Sequence, residues 1–226
     1  SKNMIESMKS VAKVDRLTAF FEAFQLRAST QSEAGKANFF VLVDANGCAE
    51  AVTLHMRSDI PPPISAKIAA HVDFEGADNP LMTALPEAVE VRVSETPTLR
   101  DAVSALVGEA HENRCGRQAA VNRLCEVIVL LMLRTAIDRG TTRPGLLAGL
   151  SHPTLHRALA AIHGRPDHPW SNEELSETSA MSRSHFMAQF RKIVGATPQA
   201  YLITWRLTLA RRKLASGGKV KVVARQ

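Results

Sequence analysis

The sequence predicts an α+β protein made of two parts, and three observations carry this prediction. Short runs of residues that are all apolar, or that alternate between apolar and polar, are typical of strands, and those bounded by turn residues occur only before residue 95. From residue 96 onward, apolar residues recur at helical spacing instead. The charge also changes, because residues 1–142 carry 15 Lys/Arg against 18 Asp/Glu and residues 143–226 carry 13 against 4. We therefore expect a sheet-containing domain over residues 1–142 and an all-α domain over residues 143–226.

The composition favours a water-soluble globular protein. The chain has 226 residues, of which 45% are hydrophobic and 22% are charged, which is enough to build a sizeable core. It contains no run of 18 apolar residues and no signal-peptide pattern, so we expect no membrane span and a cytoplasmic location. The three cysteines, Cys48, Cys115 and Cys125, suggest no paired framework and are expected to be reduced.

The first part reads as one helix followed by a small β unit. Residues 14–27 place apolar side chains on one helical stripe, and residues 28–38 read as a loop. Residues 39–44 and 48–56 form a predicted hairpin around the turn signal at 44–47. Further strands are expected at 64–74 and 89–93, with a turn at 75–80 and a single helical turn at 81–86 between them.

Two helices should follow the sheet. Thr96 is a candidate N-cap with Pro97 at the first helical position, and a long helix should run from Arg117 to Arg139 and end at Gly140. The long helix carries one broad apolar face and further apolar residues around its other sides, which favours either a central place in a bundle or dimerisation through it. The predicted broad face consists of Leu124, Val127, Ile128, Leu131, Met132 and Thr135.

The second part reads as helices only. After a linker at 141–145, helices are expected at 152–164, from about residue 173 to a turn at Ala180, from Ser182 to Gly195, and at 199–216, with a further one opening at 220. Ser171 or Asn172 should cap the helix that begins near residue 173, and Ser182 should cap the next one. The spacing of this pair is typical of a helix-turn-helix.

The second helix of this pair has the character of a DNA-reading helix. Phe186, Phe190 and Val194 share one face and should hold it against the first helix, with Leu175 and Met181 packed beneath the turn. The chain has no acidic residue after Glu177 and ten basic ones, which favours contact with a polyanion, although a plain helical bundle with a solvated basic face would show the same spacing. The predicted DNA-binding residues are Ser182, Arg183, Ser184, His185, Met187, Ala188, Arg191 and Lys192.

Residues 145–226 resemble the DNA-binding domain of the arabinose-regulator (AraC/XylS) family. The resemblance rests on MSRSHFMAQF at 181–190 and VGATPQAYL at 194–202. Further matching residues are His163, Pro169–Trp170, Leu175, Trp205–Arg206–Leu207, Ala210 and Leu214. The first part resembles the cupin-type sensor of one branch of that family, through residues 14–27, 72–86 and 117–134. The resemblance implies a cupin-like sensor and dimerisation domain, double-stranded DNA as partner, a small-molecule effector, a homodimer and, for a regulator, RNA polymerase as a further partner.

Members of that family carry two helix-turn-helix units joined by a long helix, which residues 199–216 resemble. The second unit would begin near Val220, so the sequence is expected to be truncated within it. Family members often place glycine where this chain has Ala180. The positions that match the family's base-contacting residues are Ser184, Met187 and Ala188, which favour contact with thymine methyl groups over arginine–guanine pairs.

Other constellations carry less weight. His152 and His156 have the i, i+4 spacing of a zinc pair, but His152 also stands where it can cap a helix, and His55 and His71 lack the further ligands of a metal-binding cupin. We expect no metal, no cofactor and no catalytic residues. The effector pocket would have Phe39, Val41, Val52, Leu54 and Ile68 as lining, which any β core also needs. The rival interpretation is a cupin-fold enzyme or ligand-binding module whose helical tail mediates protein contacts.

Overall fold

The computed structural model describes residues 17–23, 25–30, 36–57, 60–74, 85–140 and 144–215. Within them the chain divides into two compact units, residues 24–151 and residues 152–226 together with the segment up to Ala23. The mixed α+β class is as the sequence predicts. The predicted turn at 75–80, most of the helical turn at 81–86, and the helix opening at 220 lie outside the described residues.

The sheet unit is built on five antiparallel strands in the order β1-β4-β2-β3-β5. The strands are β1 (Arg27–Ser29), β2 (Phe39–Val43), β3 (Ala49–His55), β4 (Ala66–Asp73) and β5 (Ala88–Arg92). The predicted hairpin is β2–β3, in which Asp44 Oδ1 accepts from the N–H groups of Asn46 and Cys48, at 2.9 Å in each case. This side-chain turn explains why the sequence signal at 44–47 was reliable.

The central strands of the sheet are buried on both faces, with Phe40 and Thr53 on one face and the predicted pocket residues on the other. The register pairs Phe39 with Leu54 and Val41 with Val52, so these four side chains share one face, and each is fully buried. Ile68 lies on the same face, opposite Val41. The residues expected to line an effector pocket are therefore packed in the core.

Three helices complete the sheet unit. They are α2 (Pro97–His111), α3 (Arg117–Arg139) and α4 (Leu146–Ser151), with a short 3₁₀ turn, Val93–Glu95, after β5. The Thr96 side chain accepts from the N–H of Leu99, with Pro97 at the helix start, and α3 ends at Gly140 with φ +75°, so both sequence predictions are confirmed. The three cysteines are unpaired, and burial raises the pKa of the Cys125 thiol to about 12.

The inner face of α3 differs from the predicted one. Ile128, Leu131 and Met132 are buried as expected, but Val127 is 47% exposed and Leu124 and Thr135 are half-buried. The remaining buried positions of α3 are Val121, Cys125, Val129, Leu133 and Ile137. Since apolar residues surround this helix, its periodicity cannot decide which side meets the sheet.

The start of the described chain departs from prediction in a second way. The helix expected over 14–27 is described as α1 (Thr18–Ala23), and Arg27–Ser29 is a strand where helix and loop were expected. Ala28 pairs with Val72 of β4, a contact between residues far apart in sequence, so no local pattern could announce it. Residues before Leu17 lie outside the described residues.

In the described residues, the helical unit contains α1 and four further helices. These are α5 (Leu155–Gly164), α6 (Asn172–Thr178), α7 (Arg183–Val194) and α8 (Pro198–Ala215), and α1 contacts α5. The expected boundary at 142/143 therefore differs from this division in two places, because α1 groups with the helical unit and α4 with the sheet unit. The physical reason is packing, since α4 contacts α3.

Candidate DNA interface

Helices α6 and α7 form the predicted helix-turn-helix. The Ser171 hydroxyl accepts from the N–H of Glu174 at 3.1 Å, and the Glu174 carboxylate accepts from the N–H of Ser171 at 2.8 Å. This capping box confirms Ser171 as the cap of α6. Hydrogen bonds from the Ser171 N–H and from His168 lower the pKa of Glu174 to about 2, so this carboxylate is charged at neutral pH.

The turn between the helices closes without glycine. Ala180 has φ +52°, which is the left-handed region that side chains rarely adopt. The N–H of Ala180 donates to the Glu177 carbonyl at 2.9 Å, and the N–H of Met181 donates to the Ser176 carbonyl at 3.0 Å. The backbone therefore adopts at an alanine the conformation for which glycine is the usual residue.

Aromatic side chains hold α7 against the rest of the unit. Phe186 and Phe190 are fully buried, with ring centroids 5.5 Å apart, and Val194 is buried beside them one turn later. Leu175 of α6 is fully buried as expected, whereas Met181 is only half-buried. Gly195, with φ +86°, ends the helix as predicted.

The opposite side of α7 faces solvent. Seven of the eight residues predicted to bind DNA are exposed, and Met187 is half-buried. The exposed seven are Ser182, Arg183, Ser184, His185, Ala188, Arg191 and Lys192. The expectation that the Ser182 side chain caps α7 is wrong: Ser182 occupies the N-cap position, but its hydroxyl accepts no hydrogen bond from the helix.

An ion pair that was not predicted from the sequence joins the two helices. Nη1 of Arg183, the first residue of α7, lies 2.7 Å from Oε1 of Glu173 in the first turn of α6. Both side chains are more than half exposed. The two residues are ten positions apart across a turn, so the helical i, i+4 rule cannot find this pair.

Side chains of α8 fix the loop that precedes α6. Arg206 donates from Nε to the Pro166 carbonyl at 2.5 Å and from Nη2 to the His168 carbonyl at 2.8 Å. Nε2 of Gln199 donates to the Trp170 carbonyl at 2.7 Å. The loop carbonyls at 166, 168 and 170 are thus held by one helix, which places the start of α6.

A buried histidine lies behind this loop. His163 stacks on Trp205 with ring centroids 4.2 Å apart, and its Nε2 lies 2.8 Å from the Tyr201 hydroxyl. Burial lowers the pKa of His163 to about 3, so the ring is neutral at neutral pH, and burial raises the pKa of Tyr201. These contacts agree with the interpretation of His163 as a packing residue.

The other histidines that the sequence singled out take part in local hydrogen bonds. Thr154 occupies the N-cap position of α5, and Nδ1 of His152 accepts from the N–H of Leu155 at 3.2 Å, while His156 Nδ1 donates to the His152 carbonyl at 2.8 Å. His55 contacts Thr53, and His71 donates to the Lys36 carbonyl. In the described part of the chain, no three His, Cys, Asp or Glu side chains are grouped so as to hold a metal ion. No helix there is long and apolar enough to cross a membrane.

Comparison with known proteins finds one family model for the first part of the chain and several relatives named as transcriptional regulators. Residues 22–138 match the model of a family described as Cupin. The HTH-type transcriptional regulator AlkR of Acinetobacter baylyi is 33% identical over 147 residues, which is 63% of this chain and 48% of that protein. An AraC-like transcription regulator of Streptomyces lividans is 33% identical over 141 residues, or 61% of this chain and 46% of that protein.

A third relative is the RCS-specific HTH-type transcriptional activator RclR of Escherichia coli, which is 31% identical over 133 residues, or 57% of this chain and 47% of that protein. The chain thus spans about half the length of the curated relatives it matches. No solved structure matches it significantly. With a match over residues 22–138, the chain belongs to the cupin family, and it is similar to relatives named as HTH-type or AraC-like transcription regulators.

Proposed function

We propose that this chain is a sequence-specific DNA-binding transcriptional regulator that responds to a small-molecule effector. The observation that carries the proposal is the outward side of α7, which is mostly exposed and mostly polar or basic, and is held in place by a buried aromatic side. The relatives are named as regulators or activators of transcription and not as enzymes. Duplex DNA is the polyanion that a helix-turn-helix of this kind fits.

In this proposal α7 enters the major groove with its first turn. Ser184, Met187 and Ala188 face base edges, and the half-buried Met187 suits a thymine methyl group. Arg191 and Lys192, in the last turn of α7, bind backbone phosphates and supply affinity without sequence information. The free N–H groups at the start of α7 offer a further phosphate contact.

The remaining roles fall to the two units. The sheet unit senses the effector and the helical unit binds DNA, with the boundary between residues 142 and 152. We assign homodimerisation to the outer side of α3, where Val127 is 47% exposed. The effector shifts the population between states of the protein that bind DNA and states that do not. The protein acts in the cytoplasm, with RNA polymerase as a further partner.

Salt-dependent DNA binding tests the proposal directly. Fluorescence anisotropy of the full chain with a pool of genomic duplex fragments, at about 50 and about 200 mM salt, should show affinity that falls steeply with salt. Lys192→Gln should reduce the slope of log affinity against log salt by about one, because one phosphate contact is lost. Lys67→Gln, which removes an exposed charge from the sheet unit, is the matched control and should leave the slope unchanged.

The enzyme alternative makes opposite predictions. If the wild-type chain shows no salt-dependent affinity for any duplex, the regulator function is excluded. One tightly bound iron or zinc per chain by elemental analysis would instead support a metal-dependent cupin enzyme. A monomer in sedimentation at micromolar concentration would contradict dimerisation through α3 while leaving DNA binding to be judged by anisotropy.

A further inference from the structure

The ion pair between Glu173 and Arg183 lies within the proposed DNA-binding surface. Arg183 is the first residue of α7, the part of a recognition helix that comes closest to DNA. Its guanidinium lies 2.7 Å from the carboxylate of Glu173 on α6, the helix that crosses the DNA backbone in this motif. A cation well placed for a phosphate is thus held by a carboxylate of the same protein.

Acidic side chains are scarce in this part of the chain, so the place of Glu173 is informative. Residues 143–226 contain four of them: Asp167, Glu173, Glu174 and Glu177. Glu174 is engaged in the capping box and with His168. Of the two other carboxylates on α6, Glu173 makes the ion pair with α7, and Glu177, also exposed, lies one helical turn further on.

The pair can be opened by a phosphate at small cost to the fold. The Arg183 side chain is 64% exposed and the Glu173 side chain 55% exposed, so water screens their attraction and the pair adds little to folding stability. A phosphate accepts the same guanidinium hydrogen bonds as a carboxylate. The Glu173 carboxylate, however, would then stand beside a phosphate and repel it.

We propose that Glu173 limits the affinity of this helix-turn-helix for DNA phosphates by engaging Arg183. The inference rests on the proposed function and names a residue that tunes it. A phosphate must displace Glu173 from Arg183 whatever the base sequence of the DNA, so the phosphate contribution to affinity falls. Contacts with bases then account for a larger share of the preference for one DNA site over another. The partner is the sugar–phosphate backbone of duplex DNA.

A double-mutant cycle in the full chain tests this inference. The variants are Glu173→Gln, Arg183→Gln and the double substitution, with Glu177→Gln as a control that removes one negative charge from the same helix. The probe is a random-sequence duplex, and its affinity is measured by anisotropy over a series from about 50 to about 200 mM salt. Thermal melting followed by circular dichroism checks that each variant is folded.

The expected results separate the pair from a general charge effect. Glu173→Gln should bind on the order of 3- to 10-fold more tightly at the lowest salt, with the slope of log affinity against log salt steeper by about one. Glu177→Gln should change the affinity by less than about twofold because it frees no arginine. In the Arg183→Gln background, adding Glu173→Gln should have no larger effect than Glu177→Gln has.

Two outcomes would overturn the inference while leaving DNA binding established. Equal effects of Glu173→Gln and Glu177→Gln would mean that the pair does not restrain Arg183. Weaker binding by Glu173→Gln would mean that Glu173 orients Arg183 for contact with DNA instead of withholding it. If the wild-type chain shows no salt-dependent binding, the proposed function fails, and the inference fails with it.

Discussion

The two units of this protein hold their irregular segments in different ways. In the sheet unit, neighbouring strands exchange backbone hydrogen bonds, and a few side chains add to them, such as Asn38 on Val72 and Asp44 in the β2–β3 turn. In the helical unit, the loop before α6 has its carbonyls at 166, 168 and 170 held by side chains of α8. The position of the helix-turn-helix therefore depends on a few side chains, whereas the sheet spreads its support over many backbone groups.

Helix α3 supplies the edge contacts of the sheet. Its 23 residues span about 34 Å, which exceeds the width of about 19 Å across five strands. Near its start, Glu126 and Asn122 accept from the N–H groups of Ala28 and Thr30 at the β1 edge. At its end, Arg139 donates to the Glu90 carbonyl of β5 and pairs with Glu95, whose pKa this hydrogen bond lowers. Helix α3 thus protects both edges against pairing with another strand.

The largest expected effect comes from removing the Arg206 side chain, which holds the loop before α6. Arg206→Ala removes two charge-assisted hydrogen bonds to loop carbonyls, and we expect it to lower the free energy of unfolding by about 3 kcal/mol. Both tryptophans of the chain, Trp170 and Trp205, lie in this unit, so urea denaturation followed by tryptophan fluorescence measures it selectively. Lys192→Ala on the exposed side of α7 is the control, and equal losses in the two variants would contradict the role of Arg206.

A smaller effect is expected at the edge of the sheet. Glu126→Ala leaves the N–H of Ala28 without its acceptor, which should cost about 1 kcal/mol because this edge is only partly buried. Amide hydrogen exchange by NMR should show faster exchange at Ala28. Arg123→Ala removes only the 77%-exposed partner of Glu126 and should cost under about 0.5 kcal/mol. Unchanged exchange at Ala28 in Glu126→Ala would show that the edge needs no such contact.

The smallest effect is expected from Ala180→Gly, which relieves backbone strain in the turn between α6 and α7. Ala180→Gly should raise the free energy of unfolding by about 0.5 kcal/mol, since φ +52° is strained for alanine and the larger entropy loss of glycine offsets part of the gain. Ala188→Gly, within α7, should instead lower it by about 1 kcal/mol. Urea denaturation followed by tryptophan fluorescence measures both, and a loss of stability in Ala180→Gly would contradict the strain.

The comparison also explains which features could be predicted. Most signals made within a few residues are confirmed, as with Thr96 at the start of α2, Ser171 before α6, and Gly195 after α7, whereas the Ser182 side chain does not cap α7. Features made by distant residues were missed, namely the strand at Arg27–Ser29 and the loop contacts of Arg206. In the candidate site, the sequence named the residues of the exposed side of α7 but not the partner of Arg183.

The sequence by itself determined the α+β class, the hairpin, the helix-turn-helix and the excess of positive charge in the second half. Each of these follows from local periodicity, turn residues and charge counts, which need no knowledge of distant contacts. Only the tertiary structure decided which side of α3 faces the sheet, that α1 packs on α5, and that Glu173 engages Arg183. These depend on which surfaces meet after the chain folds, and when a helix is apolar on several sides or a charge has several partners within reach, only packing selects among them.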